Sequence, residues 1–207
     1  MSEFQFYLDV LKALDTVGAK YMVVGAYGAS AYGLSRNTHD VDIIVDLDSA
    51  ACDALALQFP PPRYYADPVQ MRDSIWHGIM FNIIDGSQGV KADLVPLSRE
   101  PEYQIAFNQR IRRRVYDGDG NPLDIWCARP EDIIVGKLMA WQEGRSAKHP
   151  SDIYAVLNFV LSGLADMEFD VNYVSQRVTS IGADALRLWV TILDRVQSEL
   201  DESPPPF

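Results

Sequence analysis

The stretch Tyr21–Asp46, YMVVGAYGASAYGLSRNTHDVDIIVD, decides how this chain is read. Tyr21–Val24 is a short apolar run that reads as a buried strand, and Gly25-Ala26-Tyr27-Gly28-Ala29-Ser30 is a turn of small residues opening a helix to about Leu34. A basic-polar connector, Ser35-Arg36-Asn37-Thr38-His39, leads into a second strand, Asp40–Val45. Asp40 and Asp42 stand two apart on that strand and share one face, with Cα atoms roughly 6.5–7 Å apart. Val41, Ile43 and Val45 point the other way and anchor the strand in a core. Carboxylates at this spacing can converge on divalent cations, and two-metal phosphoryl transfer needs ions about 3.5–4 Å apart. The glycine-ended strand, with small residues opening a helix, offers backbone N–H groups and a positive dipole end to an anion. A phosphate cradle and a carboxylate pair on one short segment make a coherent nucleoside-triphosphate site.

Working outward, Val90–Leu97 reads as a further strand that follows the hairpin-like turn Asp85-Gly86-Ser87-Gln88-Gly89. Lys91, Asp93 and Val95 lie on one of its faces, Ala92 and Leu94 on the other. Asp93 is the third candidate carboxylate, since magnesium is held by clusters of oxygen ligands and seldom by a lone one.

The pattern resembles the nucleotidyltransferase superfamily that includes DNA polymerase beta. The matching residues are Val23-Val24-Gly25-Ala26, thirteen intervening residues, then Asp40-Val41-Asp42-Ile43. The local form Arg36-x-Thr38-x-Asp40-x-Asp42 is similar to bacterial stand-alone nucleotidyltransferases of the AbiEii toxin type. So is Ala128-Arg129-Pro130-Glu131-Asp132-Ile133-Ile134-x-x-Lys137-Leu138, followed by Gly144-Arg145 and Asp152-Ile153. Ala26 departs from the second Gly or Ser of the family pair, and Gly28 in a shifted register, with the Ser30 hydroxyl, is the substitute the sequence offers. The likeness covers about Tyr21–Leu157.

What the resemblance implies is an α/β nucleotidyltransferase core (polymerase beta-like), a mixed sheet flanked by helices, plus a C-terminal helical subdomain. It implies Asp40, Asp42 and Asp93 as catalytic ligands of two Mg2+ ions. An NTP would be contacted by Gly25, Ala26, Gly28, Ser30, Arg36, Thr38 and Lys137. Asp152 would cap or orient. The implied reaction moves a nucleoside monophosphate from the NTP to an acceptor hydroxyl on RNA or tRNA, on a protein, or on a small molecule as in antibiotic-modifying enzymes. A cognate antitoxin is an implied partner of a toxin-like member, and a non-catalytic nucleotide-binding or partner-binding protein on the same fold is the reading from another class.

The rest of the chain bounds these expectations. Its 207 residues are 48% hydrophobic, enough for a substantial core. A formal net charge of −11 supplies no global basic field for nucleic acid. Cys52 and Cys127 are far apart and outside any ligand spacing, as expected of a reduced cytoplasmic chain. The three histidines, 39, 77 and 149, have no mutual spacing for metal or triad chemistry. The opening MSEFQFYLDVLKAL is amphipathic without a basic n-region, so it reads as a packing helix over Glu3–Val17 and not as a signal peptide. No apolar run approaches the roughly 18–20 residues of a membrane span. Ser49 reads as the N-cap of a helix to about Leu57, Tyr64-Tyr65 as the start of an edge strand, and Ile75–Ile84 as a strand. Pro101–Tyr116 reads as a helix carrying Arg110, Arg112, Arg113 and Arg114, open either to phosphate binding or to a solvated helix end. Pro130 at the first helical position, with Glu131 and Asp132 in the first turn, starts a helix. Helical stripes follow from Ser151 to Leu200. The expected division is a nucleotidyltransferase core over 1–128, a helical part over 129–200 and a tail over 201–207.

Overall fold

The computed structural model describes residues 3–34, 40–99, 102–116, 119–163 and 167–202, with side chains from residue 5 onward. The connector bearing Arg36, Thr38 and His39 lies outside the described residues. The elements run α1 (Glu3–Thr16), β1 (Lys20–Val23), α2 (Gly25–Ser30), β2 (Asp40–Asp46), α3 (Ser49–Gln58), β3 (Tyr64–Tyr65), α4 (Pro68–His77), β4 (Phe81–Asp85) and β5 (Val90–Pro96). They continue with α5 (Tyr103–Asn108), β6 (Ile111–Tyr116), β7 (Pro122–Cys127), α6 (Pro130–Gly144), α7 (Lys148–Leu161), α8 (Val171–Ile181) and α9 (Ala183–Glu202).

The chain forms two compact units: Met1–Tyr27 with Asn37–Ala128, and Gly28–Arg36 with Arg129–Phe207. The first is built on a seven-stranded sheet in the order β3-β4-β5-β2-β1-β7-β6. Pairing is mixed, because β2–β5 and β1–β7 are parallel while β1–β2, β3–β4, β4–β5 and β6–β7 are antiparallel. One sheet face is apolar: Tyr21, Val23, Val41, Ile43, Val45, Phe81, Ile83, Val90, Ala92, Leu94, Ile125 and Cys127 share one buried cluster with Phe6, Val10, Leu11 and Leu14 of α1 and Cys52 and Leu55 of α3. Residues on the alternate pleat are thereby committed to the opposite face, and these include Asp40, Asp42, Lys91 and Asp93. Packing thus decides where the chemistry points.

The second unit is a helical assembly in which α6 packs on α7, α8 and α9, and α9 also packs on α7 and α8. Its core holds Ile134, Leu138, Ile153, Leu157, Val174, Val178, Trp189 and Val196. The short segment after α2 belongs to it: a Cβ on Gly33 would lie 2.7 Å from the Phe159 ring, at a φ of +79°.

Three local readings are corrected. The arginines from 112 to 114 lie on strand β6, not on a helix, because Ile111, Arg113 and Val115 alternate inward against β7. Their partners are structural: Arg114 pairs with Asp124 at 2.9 Å, Arg112 reaches Asp15 at 3.5 Å, and Arg110 stacks over Phe107 and Trp126. Ile75–His77 finishes helix α4 and leaves β4 only Phe81–Asp85, since Asp67 caps Val69 and Gln70, Pro68 takes the first turn, and left-handed Gly78 ends the helix. The cap of α3 is Asp48, whose carboxylate accepts from the Ala51 N–H at 2.8 Å.

Candidate active site

Strands β2 and β5 run parallel in a register that pairs Asp40 with Lys91 and Asp42 with Asp93. Adjacent strands are about 4.8 Å apart, so Asp42 and Asp93 are direct neighbours on the polar face. On the far side of Asp93, antiparallel β4 brings up Asn82 as its register partner. Asp93 is held from both sides: its carboxylate accepts from Asn82 Nδ2 at 2.5 Å, and Lys91 Nζ donates to both oxygens at 2.7 Å. The Asp93 side chain is 8% exposed and the Lys91 side chain 45%.

The Lys91 ammonium is held above its ordinary pKa, first by its hydrogen bond to Asp93, then by the charges of Asp93, Asp40 and Asp42, against the opposing effect of burial. All three carboxylates therefore act on one cation. That convergence is the electrostatic core of the site.

The end of β1 closes the other side. The Val24 N–H donates to the Asp42 carbonyl at 3.0 Å, which carries the chain past the acidic strand before it turns into α2. Gly25 makes that turn at φ +64°, and a Cβ there would stand 2.0 Å from Asp42 Oδ2. Only a glycine accepts both the left-handed backbone and the close carboxylate. Ala26 follows, half-buried, in the same unit. Gly28 and Ser30 sit further along α2, in the segment that belongs to the helical unit, where Gly28 is buried and Ser30 exposed.

Lys137 belongs to the helical unit, on α6, and its ammonium donates to Asp152 of α7 at 2.7 Å. Both side chains are buried, at 6% and 2% exposure. Nearby in the same unit, Glu131 accepts from the Asp170 N–H at 2.9 Å, while Asp132 accepts from Arg129 at 3.0 Å and from the Tyr173 hydroxyl at 2.6 Å. The acidic first turn of α6 therefore ties α8 to α6 as well as facing the helix dipole.

Within the sheet unit, then, Asp42 stands beside Asp93 and Gly25, with Asp40 one pleat along β2 beside Lys91. Lys91 and Asn82 are participants that sequence reading gave no role. For Lys91 the signal was present, as a basic residue two before Asp93 on the same face. For Asn82 only strand pairing supplies it.

The donor set suits a hard divalent ion, because it offers carboxylate oxygens on neighbouring strands and already attracts an ammonium. Among the described residues, no three His, Cys, Asp or Glu side chains are gathered as a ready ligand group. The Asp93 oxygens are turned to Lys91 and Asn82 instead.

The mixed seven-stranded sheet with flanking helices has a nucleotidyltransferase fold. Solved structures share it: an antigenic nucleotidyltransferase-like protein from Paracoccidioides brasiliensis is 18% identical, with 96% of this chain and 92% of that one aligned at a TM-score of 0.54. JHP933 from Helicobacter pylori is 13% identical, with 96% and 91% aligned at a TM-score of 0.50. At these identities the likeness concerns the fold. No protein-family model and no curated protein matches the sequence. Among the described residues, no helix is long and apolar enough to cross a membrane.

Proposed function

We propose that this protein transfers a nucleoside monophosphate from an NTP to an acceptor hydroxyl. The observation that carries the proposal is the register Asp42–Asp93, one pleat from Asp40, with Gly25 packed against the Asp42 carboxylate. In the reaction an acceptor oxygen forms a bond to the α-phosphorus, the α–β anhydride breaks, and pyrophosphate leaves. Asp40, Asp42 and Asp93 would hold two Mg2+ ions, which when bound supply charge neutralisation at the phosphates and activation of the acceptor oxygen. Asp93 receives the acceptor's proton, and Asn82 fixes the orientation of its carboxylate. Gly25 lets the chain pass close to the acidic pair, so that the backbone after it can approach the phosphates. The remaining anion-binding roles, those of Ala26, Gly28, Ser30, Arg36, Thr38 and Lys137, rest on the sequence resemblance, with Asp152 orienting Lys137.

The acceptor in this reading is an RNA, a tRNA or a protein, as in the AbiEii-type toxins that the sequence resembles, with a cognate antitoxin as partner. A small-molecule acceptor is the second reading, and the net charge of −11 favours it because a polyanionic acceptor would be repelled. Incubation with each radiolabelled NTP, Mg2+, tRNA, total protein and an aminoglycoside set tests both. A labelled macromolecule supports the first reading and a labelled small molecule the second. No Mg2+-dependent label with any acceptor, from protein that is folded, overturns the transferase reading.

A further inference from the structure

Resting on the acidic site proposed above, we infer that Lys91 is a resident cation that competes with divalent ions for Asp93 and so sets the threshold at which the site takes up metal. A carboxylate offers about four lone-pair positions. Lys91 and Asn82 occupy three of those on Asp93, two with the ammonium and one with the amide. The one position left is on Oδ2, which already accepts from the ammonium, so a divalent ion that bonds to Asp93 meets the Lys91 charge and competes with it.

The geometry lets the ammonium give way. The Lys91 backbone is held in register, paired with Asp40 on one side and Ile84 on the other, so the side chain always starts from the same place. Its side chain is 45% exposed, on a flexible four-carbon stem whose head is readily hydrated. Asp93 has no such freedom, at 8% exposure between β2 and β4. The partner that moves is the lysine.

Removing any nearby cation favours Mn2+ through its field; competition for Asp93 is the part of the gain that disappears when that carboxylate is neutralised. The two cases separate by titrating Mn2+ alone, without nucleotide, into the full-length protein and following free Mn2+ by electron paramagnetic resonance. We expect Lys91→Met and Lys91→Gln each to bind Mn2+ about tenfold more tightly than the parent, the scale of one charge-assisted hydrogen bond. Adding Asp93→Asn should erase that gain. Unchanged or weaker Mn2+ binding in both Lys91 variants, with saturable binding in the parent, overturns the competition and leaves the acidic site standing. If instead Asp42→Asn binds Mn2+ as the parent does, or nothing binds saturably, the acidic-site reading fails and takes this inference with it.

Discussion

Gly25 and Asp42 are in a contact that admits no side chain: a methyl on Gly25 would fall 2.0 Å from the Asp42 carboxylate oxygen. The backbone there is also left-handed, at φ +64°. Gly25→Ala is predicted to lose roughly 1–2 kcal/mol from the backbone alone, with a further loss as Asp42 is pushed aside. Gly89 is the control, because its φ is +68° and a methyl there would meet nothing within 4 Å. Gly89→Ala should show the backbone loss only and keep NTP turnover. Thermal denaturation and turnover of the pair check this, and equal effects at both positions would remove the contact's significance.

Asp42→Asn keeps the size of the side chain and removes its charge. NMP transfer should fall by at least about a hundredfold, the scale lost with one group that stabilises transition-state charge, while far-ultraviolet circular dichroism and melting temperature stay near the parent's. A variant that labels acceptor as well as the parent would take Asp42 out of the chemistry.

Asp85 gives a pH prediction. It is fully buried, and Arg63 donates to it through Nε at 3.1 Å and Nη2 at 2.7 Å, with the Ser87 N–H and hydroxyl at 2.9 and 2.6 Å. The Arg63 hydrogen bond, acting against burial, holds its pKa down at about 2 from an ordinary 3.8. A depressed carboxylate pKa means that stability is fully present above the unfolded value and is lost as pH falls from about 4 towards 2. Asp85→Asn should remove that part of the acid limb and cost about 2 kcal/mol at neutral pH. Urea unfolding of both proteins across this range reads it out, and superimposable acid limbs would refute it.

The buried Lys137–Asp152 pair predicts an asymmetry. Lys137→Met leaves Asp152 charged and buried, which should cost about 3–5 kcal/mol. The double variant Lys137→Met, Asp152→Leu should recover a large part of that loss. Denaturant midpoints of the single and double variants measure it, and additive losses would show that the two residues act independently.

Much of this fold was legible because the decisive signals are local. Val41, Ile43 and Val45 alternate with Asp40 and Asp42, so one strand announces both its buried face and its polar face. Gly25 ends β1 where the chain must turn left-handed. Strand β6 was misread because three consecutive arginines mask a period of two. Their place is fixed by pairing with β7, from Ile111–Cys127 to Tyr116–Pro122, a cross-strand register that periodicity along one strand does not show. The same limit hid Asn82, which reaches Asp93 only across the β4–β5 register. Lys91 was visible on the right face, but its bidentate hold on Asp93 depends on rotamers that spacing does not specify.

The segment Gly28–Arg36 is claimed by the helical unit although it is made early, between two strands of the sheet. Its Gly33 lies against the Phe159 ring of α7, and the rest of its unit is made by the helices from Arg129 onward. During synthesis this stretch must wait, unsatisfied, until those helices emerge from the ribosome. A fragment ending at residue 128 would carry Gly33 without Phe159.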